Sequence, residues 1–201
     1  MSRITLGKIT NVENIGPMMG SAAHGFVVSK SLIVLHETVS SDIAGWSDVM
    51  NVAHYLDEKD YGMHGIIDYE ANIAWSKRLG RAIFYHATSG RGLVNTKGIG
   101  IELISRVMLQ SYSNYQRWLI WWKREAQLRA AGKLCAWISR VHGIPLVDSD
   151  SSFPGVTTHW EVTKRWNVYG GHTDCWPKHK GGYFPKLRVL RYAKTYKALG
   201  Y

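Results

Sequence analysis

With 201 residues, 45% of them hydrophobic, the chain is long enough to bury one sizeable core and suits a single domain. Lys and Arg number 25 against 15 Asp and Glu; the net charge of +10 points to an anionic partner without choosing among nucleic acid, a membrane surface and an anionic polymer. Two cysteines exclude a disulfide framework, and no run approaches the roughly 18 apolar residues of a membrane span.

The opening MSRITLGKIT holds no long apolar segment of the secretory type, so the expectation is a protein made in a cytoplasm without a signal peptide. Residues 1–30, punctuated by Gly16, Pro17 and Gly20, read as an extended arm with one or two short strands, packed on the domain that follows. Leu32, Ile33, Val34 and Leu35 then form a short continuous apolar run, the pattern of a strand buried on both faces. His36 ends that run. A histidine there sits on a rigid support with an open side, which suits a metal ligand or a general base, and equally a residue that caps the strand and bonds locally.

Ser40, Ser41 and Asp42 offer N-cap side chains, and Ile43, Trp46, Met50, Ala53 and Leu56 recur at helical spacing, predicting a helix over 42–58. Residues 65–68 and 72–75 read as two short strands joined by a turn near Glu70, and 82–86 as a further strand or loop edge ending in His86. A Gly-rich polar loop follows over 89–97. The strand predicted over 99–104, IGIELI, carries Glu102 in its middle. That carboxylate either faces outward in alternating register or is buried for a function.

Residues 113–142 read as one long helix. Tyr115, Trp118, Trp122, Ala126, Ala130, Leu134, Trp137 and Val141 recur at three- and four-residue steps and are expected to pack on the sheet, with Arg124, Arg129, Lys133 and Arg140 on other faces. This stripe would take up several of the nine Trp and eleven Tyr, and Cys135 would be a buried filler. Gly143 and Pro145 stop the helix. After a polar loop, Val156, Thr157 and Thr158 lead into a tail that holds His159, His172, Asp174, Cys175 and His179. Nitrogen, carboxylate and thiolate groups so clustered signal a metal site, with three ligands and an open position for a catalytic zinc; the plainer reading is a basic surface loop.

A strand ending in His, the IGIEL strand, a helix ending in GIP, then THWEV and HTD occur in that order. The chain resembles, over about residues 32–190, the zinc-dependent N-acetylmuramoyl-L-alanine amidases of the amidase-2 and peptidoglycan recognition protein family, the phage endolysin branch above all. The resemblance implies an α/β fold, a single domain with a central mixed sheet flanked by helices, the catalytic domain spanning 31–201. It implies His36, His159 and Asp174 as zinc ligands. Cys175 competes with Asp174, because some relatives use Cys as third ligand; Asp174 is favoured by the HTD match and the GGYFP that follows. It implies Glu102 as general base, His172 as a residue holding the substrate carbonyl, and His64, His86 and Trp75 in the substrate groove. Many relatives carry Tyr before the histidine of the second strand, whereas this chain has Met63 before His64, which puts more weight on Glu102. The cofactor implied is Zn2+ and the partner bacterial peptidoglycan, for a monomer that acts on the cell wall after release and lyses a host. A peptidoglycan-binding module without chemistry is the alternative. Nucleic acid is disfavoured because Lys and Arg are spread along the chain with no dense run, and no membrane partner is expected.

Overall fold

The structure is a computed structural model that describes residues 23–26, 29–39, 46–58, 62–75, 82–84, 86–87, 93–105, 112–150, 154–166, 174–175 and 183–201. Five strands make a mixed sheet: β2 (Leu32–Val39), β3 (Gly65–Ile67), β4 (Ile73–Trp75), β6 (Gly98–Ser105) and β7 (Gly155–Thr158), in the order β4-β3-β6-β2-β7. β3, β6, β2 and β7 run parallel, and β4 returns antiparallel on β3. β1 (Ala23–Phe26) and β5 (Ala82–Phe84) form a separate antiparallel pair. Residues 1–22 and 27–28 of the predicted N-terminal arm lie outside the described residues.

The apolar run of β2 is fully buried because both faces of the sheet are covered. One face sends Ile33 and Leu35, with Ile99, Ile101 and Leu103 of β6, against α4 (Glu125–His142) and α6 (Lys186–Ala198). Leu128, Ala131, Leu134, Cys135 and Ile138 answer from α4, and Val189, Leu190 and Ala193 from α6. On the other face Ile66 and Ile104 meet Val49, Val52 and Ala53 of α1 (Trp46–Glu58), while Leu32 and Val34 meet Val94 of α2 (Leu93–Lys97) and Val162 of α5 (His159–Trp166). This is the α/β single domain with a central mixed sheet that the sequence implied.

Several elements depart from the sequence reading. The loop expected over 89–97 ends in the short helix α2. The helix expected over 113–142 is two helices, α3 (Asn114–Lys123) and α4, with Arg124 between them at φ −92, ψ 37. Arg124 is buried, not on an outer face: its guanidinium donates to the Ile104 carbonyl at 2.6 Å and to Gln127 Oε1 at 3.1 Å. Gln127 Nε2 donates to the carbonyls of Ile67 and Ile104, so the pair satisfies backbone oxygens at the ends of β3 and β6. That rotates the buried stripe to Trp121, Leu128, Ala131, Cys135 and Ile138. Tyr115, Trp118, Trp122, Trp137 and Val141, expected in the core, are exposed. Helices α5 and α6 were not anticipated. Among the described residues no helix is long and apolar enough to cross a membrane.

Candidate metal centre

The site lies in the second half of β2, which runs three residues beyond His36, and at the C-terminal end of β7, on the face that carries α1 and α5. Side chains alternate along a strand, so His36 shares its face with Leu32 and Val34. The buried first half of β2 gives it a fixed base. His159 is positioned differently. β7 turns directly into α5 through a reciprocal cap: the Glu161 N–H donates to Thr158 Oγ1 at 3.3 Å, and the Thr158 N–H donates to Glu161 Oε2 at 2.8 Å. Thr157 Oγ1 adds a bond to the same carboxylate, and Lys186 of α6 pairs with it from the other side. His159 is thereby locked as the first residue of α5.

Asp174 closes the group. Its main-chain oxygen accepts from the Trp160 N–H at 3.1 Å, and its Oδ2 accepts from the Glu37 N–H at 3.1 Å. The carboxylate therefore faces both histidines, with His159 Nδ1 2.5 Å from Oδ1 and His36 Nδ1 3.3 Å from Oδ2. One ligand atom from each of His36, His159 and Asp174 lies within 4.8 Å of the others. Burial alone would raise the Asp174 carboxyl, but the charge and hydrogen bonds of His159 and His36 outweigh it and hold the group well below the usual carboxylate range. Two imidazole nitrogens and one carboxylate, converging with both histidines buried, are a donor set that fits zinc with a further position left for a ligand.

Cys175 is turned away from this group. Its φ is 61 and its Sγ donates to the Leu35 carbonyl at 3.3 Å, within the core on the α4 side. Burial, then the neighbouring carboxylates led by Asp174, push its thiol well up, so it is a thiol rather than a thiolate.

Glu102 stands beside His36 in register on β6 and is buried, so the outward-facing alternative does not hold. Burial, then the Asp174 and Glu37 carboxylates, push its pKa well above the ordinary value. Among the described residues none forms an ion pair or hydrogen bond with it. His86 is buried, with its Nδ1 3.1 Å from His36 Nε2. Burial, then His36, holds it well below the ordinary histidine value, and it is neutral. His64 is fully buried behind it, its Nδ1 accepting the Gly100 N–H at 3.0 Å.

The structure places two of the residues expected in a substrate groove, His64 and Trp75, away from an accessible surface beside His36. His64 has no surface with which to touch a substrate. Trp75 is in register with Gly65 and, through it, Ile101, so it lies on the α4 face, packed edge-on against Trp137 with centroids 5.0 Å apart. His36 occupies the opposite face. His172 lies outside the described residues. The sequence reading also missed the cap that sets His159, although Thr158-x-x-Glu161 is a legible signature.

The Amidase_2 family model, described as N-acetylmuramoyl-L-alanine amidase, matches residues 28–178. No curated protein sequence matches the chain. Among solved structures the chain is similar to the Staphylococcus aureus hydrolase AmiA in complex with its ligand, at 15% identity and a TM-score of 0.59, over 86% of this chain and 76% of that one. It is similar to the PlyG catalytic domain at 17% identity and a TM-score of 0.56, over 90% of each chain. A mutant endolysin from Bacillus subtilis is similar at 19% identity and a TM-score of 0.51, over 89% of this chain and 90% of that one.

Proposed function

Because this chain belongs to the N-acetylmuramoyl-L-alanine amidase family, we propose that it hydrolyses the amide bond between N-acetylmuramic acid and the L-alanine of the peptidoglycan stem peptide, with zinc held by His36, His159 and Asp174. The observation that carries this reading is the convergence of three ligand atoms beside a buried carboxylate: the His36, His159 and Asp174 group with Glu102 in register on the next strand. When bound, zinc supplies Lewis acidity, polarising the amide carbonyl and acidifying water. Glu102 takes the proton of the attacking water as the C–O bond forms, and returns it to the alanine nitrogen as the C–N bond breaks. The products are a lactyl carboxylic acid and a free amine. His172, from the resemblance, would steady the oxyanion that forms between these events.

The net charge of +10 supports an anionic cell-wall polymer as the substrate, since a basic enzyme concentrates on it. The likeness of the fold to a Bacillus subtilis endolysin supports action in the manner of an endolysin; the further parts of this reading are a monomer and one catalytic domain over 31–201.

The test is incubation of the zinc-loaded protein with purified peptidoglycan, measuring new alanine amino termini. Stoichiometric zinc and new termini that disappear on chelation support the reading. Zinc uptake and wall binding without new termini would make the protein a recognition module instead.

A further inference from the structure

We propose that His86 is a positioning residue for this metal centre: seated in a slot that Gly98 and Gly100 leave open on β6, it accepts a hydrogen bond from His36 Nε2 and so fixes His36 with Nδ1 toward Asp174. The inference rests on the preceding reading that His36, His159 and Asp174 hold the metal.

The slot comes from alternation along β6. Gly98, Gly100, Glu102 and Ile104 share one face, and the first two offer no side chain. A Cβ on Gly100 would stand 2.7 Å from His86 Cγ and 2.9 Å from its Nδ1; one on Gly98 would stand 3.1 Å from Cε1 and 3.2 Å from Nε2. The imidazole therefore lies against the strand over both positions, where any larger residue would displace it. Its backbone is held too. The N–H groups of His86 and Ala87 both donate to Asn95 Oδ1, at 3.2 and 2.9 Å. His64 packs edge-on behind the ring, with centroids 5.6 Å apart, and its own Nδ1 is taken by the Gly100 N–H.

Held this way, His86 Nδ1 stands 3.1 Å from His36 Nε2, while His36 Nδ1 stands 3.3 Å from Asp174 Oδ2. A neutral imidazole has one N–H and one lone pair. For His36 to offer its lone pair at Nδ1, its proton must sit on Nε2 and needs an acceptor. His86 supplies that acceptor at Nδ1, with its own proton on Nε2. Two glycines and an asparagine remote from the ligand set thus determine which nitrogen of His36 faces the metal.

The experiment measures zinc affinity by competition with a chromophoric chelator for the parent, His86→Phe and His86→Asn. Phe fills the slot but accepts nothing; Asn places an oxygen near the position of Nδ1. Loss of a partner to a metal-bound histidine costs about 10- to 100-fold in affinity. The expected result is that loss for His86→Phe and recovery of most of it for His86→Asn, with His36 in the zinc-loaded parent protonated at Nε2 by its 15N shifts. His86→Phe binding zinc as tightly as the parent, or Asn binding no better than Phe, overturns the proposal. Should His86→Phe fail to fold by circular dichroism, His86→Ala against His86→Asn carries the comparison, and equal affinities overturn it. A parent that takes up no zinc overturns the metal reading itself, and this inference with it, before any variant is compared.

Discussion

Glu102 sits where a carboxylate is expensive. It is buried, in register with His36 and beside two other acidic groups that raise its affinity for a proton. The charge of a cation held by His36, His159 and Asp174 would oppose that effect and favour the ionised carboxylate, the form that can take a proton from an attacking water. Glu102→Gln keeps the size and the hydrogen-bonding capacity but accepts no proton. We expect the variant to fold and to hold zinc, with hydrolysis of purified wall reduced by about 10² or more. Hydrolysis at the parent rate would remove Glu102 from the reaction. A second buried charge makes a different prediction. Lys30 donates to the carbonyl of Gly98 at 2.9 Å and of Asn95 at 3.5 Å, and burial, with Lys97 adding to it, lowers its pKa from 10.5 to about 7. Between those values the unfolded chain binds a proton that the folded chain does not. Stability must therefore fall as pH drops from about 10 to 7, by roughly 1.4 kcal/mol per unit from this group, and level off below. Lys30→Met should flatten that slope in urea titrations of the metal-free protein. Equal slopes for parent and variant would mean that Lys30 stays charged on folding.

The element that most changes on folding is the region read as one long helix. Its strongest periodic signal, Tyr115, Trp118 and Trp122, ends on the outside. Those rings stack on one another, with centroids 5.9 and 5.6 Å apart, and Arg188 lies over Trp122 at 5.4 Å. The buried aromatic is Trp121, edge-on to Phe184. Trp121→Ala should cost about 3–5 kcal/mol in urea unfolding, whereas Trp118→Ala should cost below about 1 kcal/mol. The reverse ranking would restore the original stripe to the core. Periodicity could not settle this, because Trp121 and Trp122 are adjacent and each begins a helical stripe. What decides between them is the pair of carbonyls at Ile67 and Ile104, which draw Arg124 and Gln127 inward and break the helix. That demand arises only once β3 and β6 are paired. Where the sequence carried its own reason, the structure agrees. The apolar run of β2 needs cover on both sides and has it, and Gly143 ends α4 in the left-handed conformation at φ 68. The motifs pointed to His36, His159 and Asp174, which the structure brings together as a group that could hold a metal; the cap that places His159 was written in Thr158 and Glu161 and went unread.

At the scale of the whole molecule, the three candidate ligands come from three places: the second half of β2, the start of α5, and the segment at Asp174 that is tied to both. A cation bound by all three joins parts of the fold that otherwise meet through hydrogen bonds and packing. The unfolded chain presents no such group, so binding should stabilise the native state. The gain is RT ln(1 + [L]/Kd), about 4 kcal/mol at a thousand times Kd. A domain of this size shifts by about 2–4 °C for each kcal/mol, so excess zinc should raise Tm by roughly 10 °C over chelated protein. The rise should shrink below about pH 6, because the histidines must be neutral to bind. Cys175→Ser should keep the rise, since that thiol faces the Leu35 carbonyl. Asp174→Ala should lose it, since the carboxylate faces both imidazoles. Calorimetry with zinc and with chelator reads all of these at once. A rise retained by Asp174→Ala and lost by Cys175→Ser would reverse the ligand assignment, and no rise in the parent would leave the trio a hydrogen-bonded group of the fold.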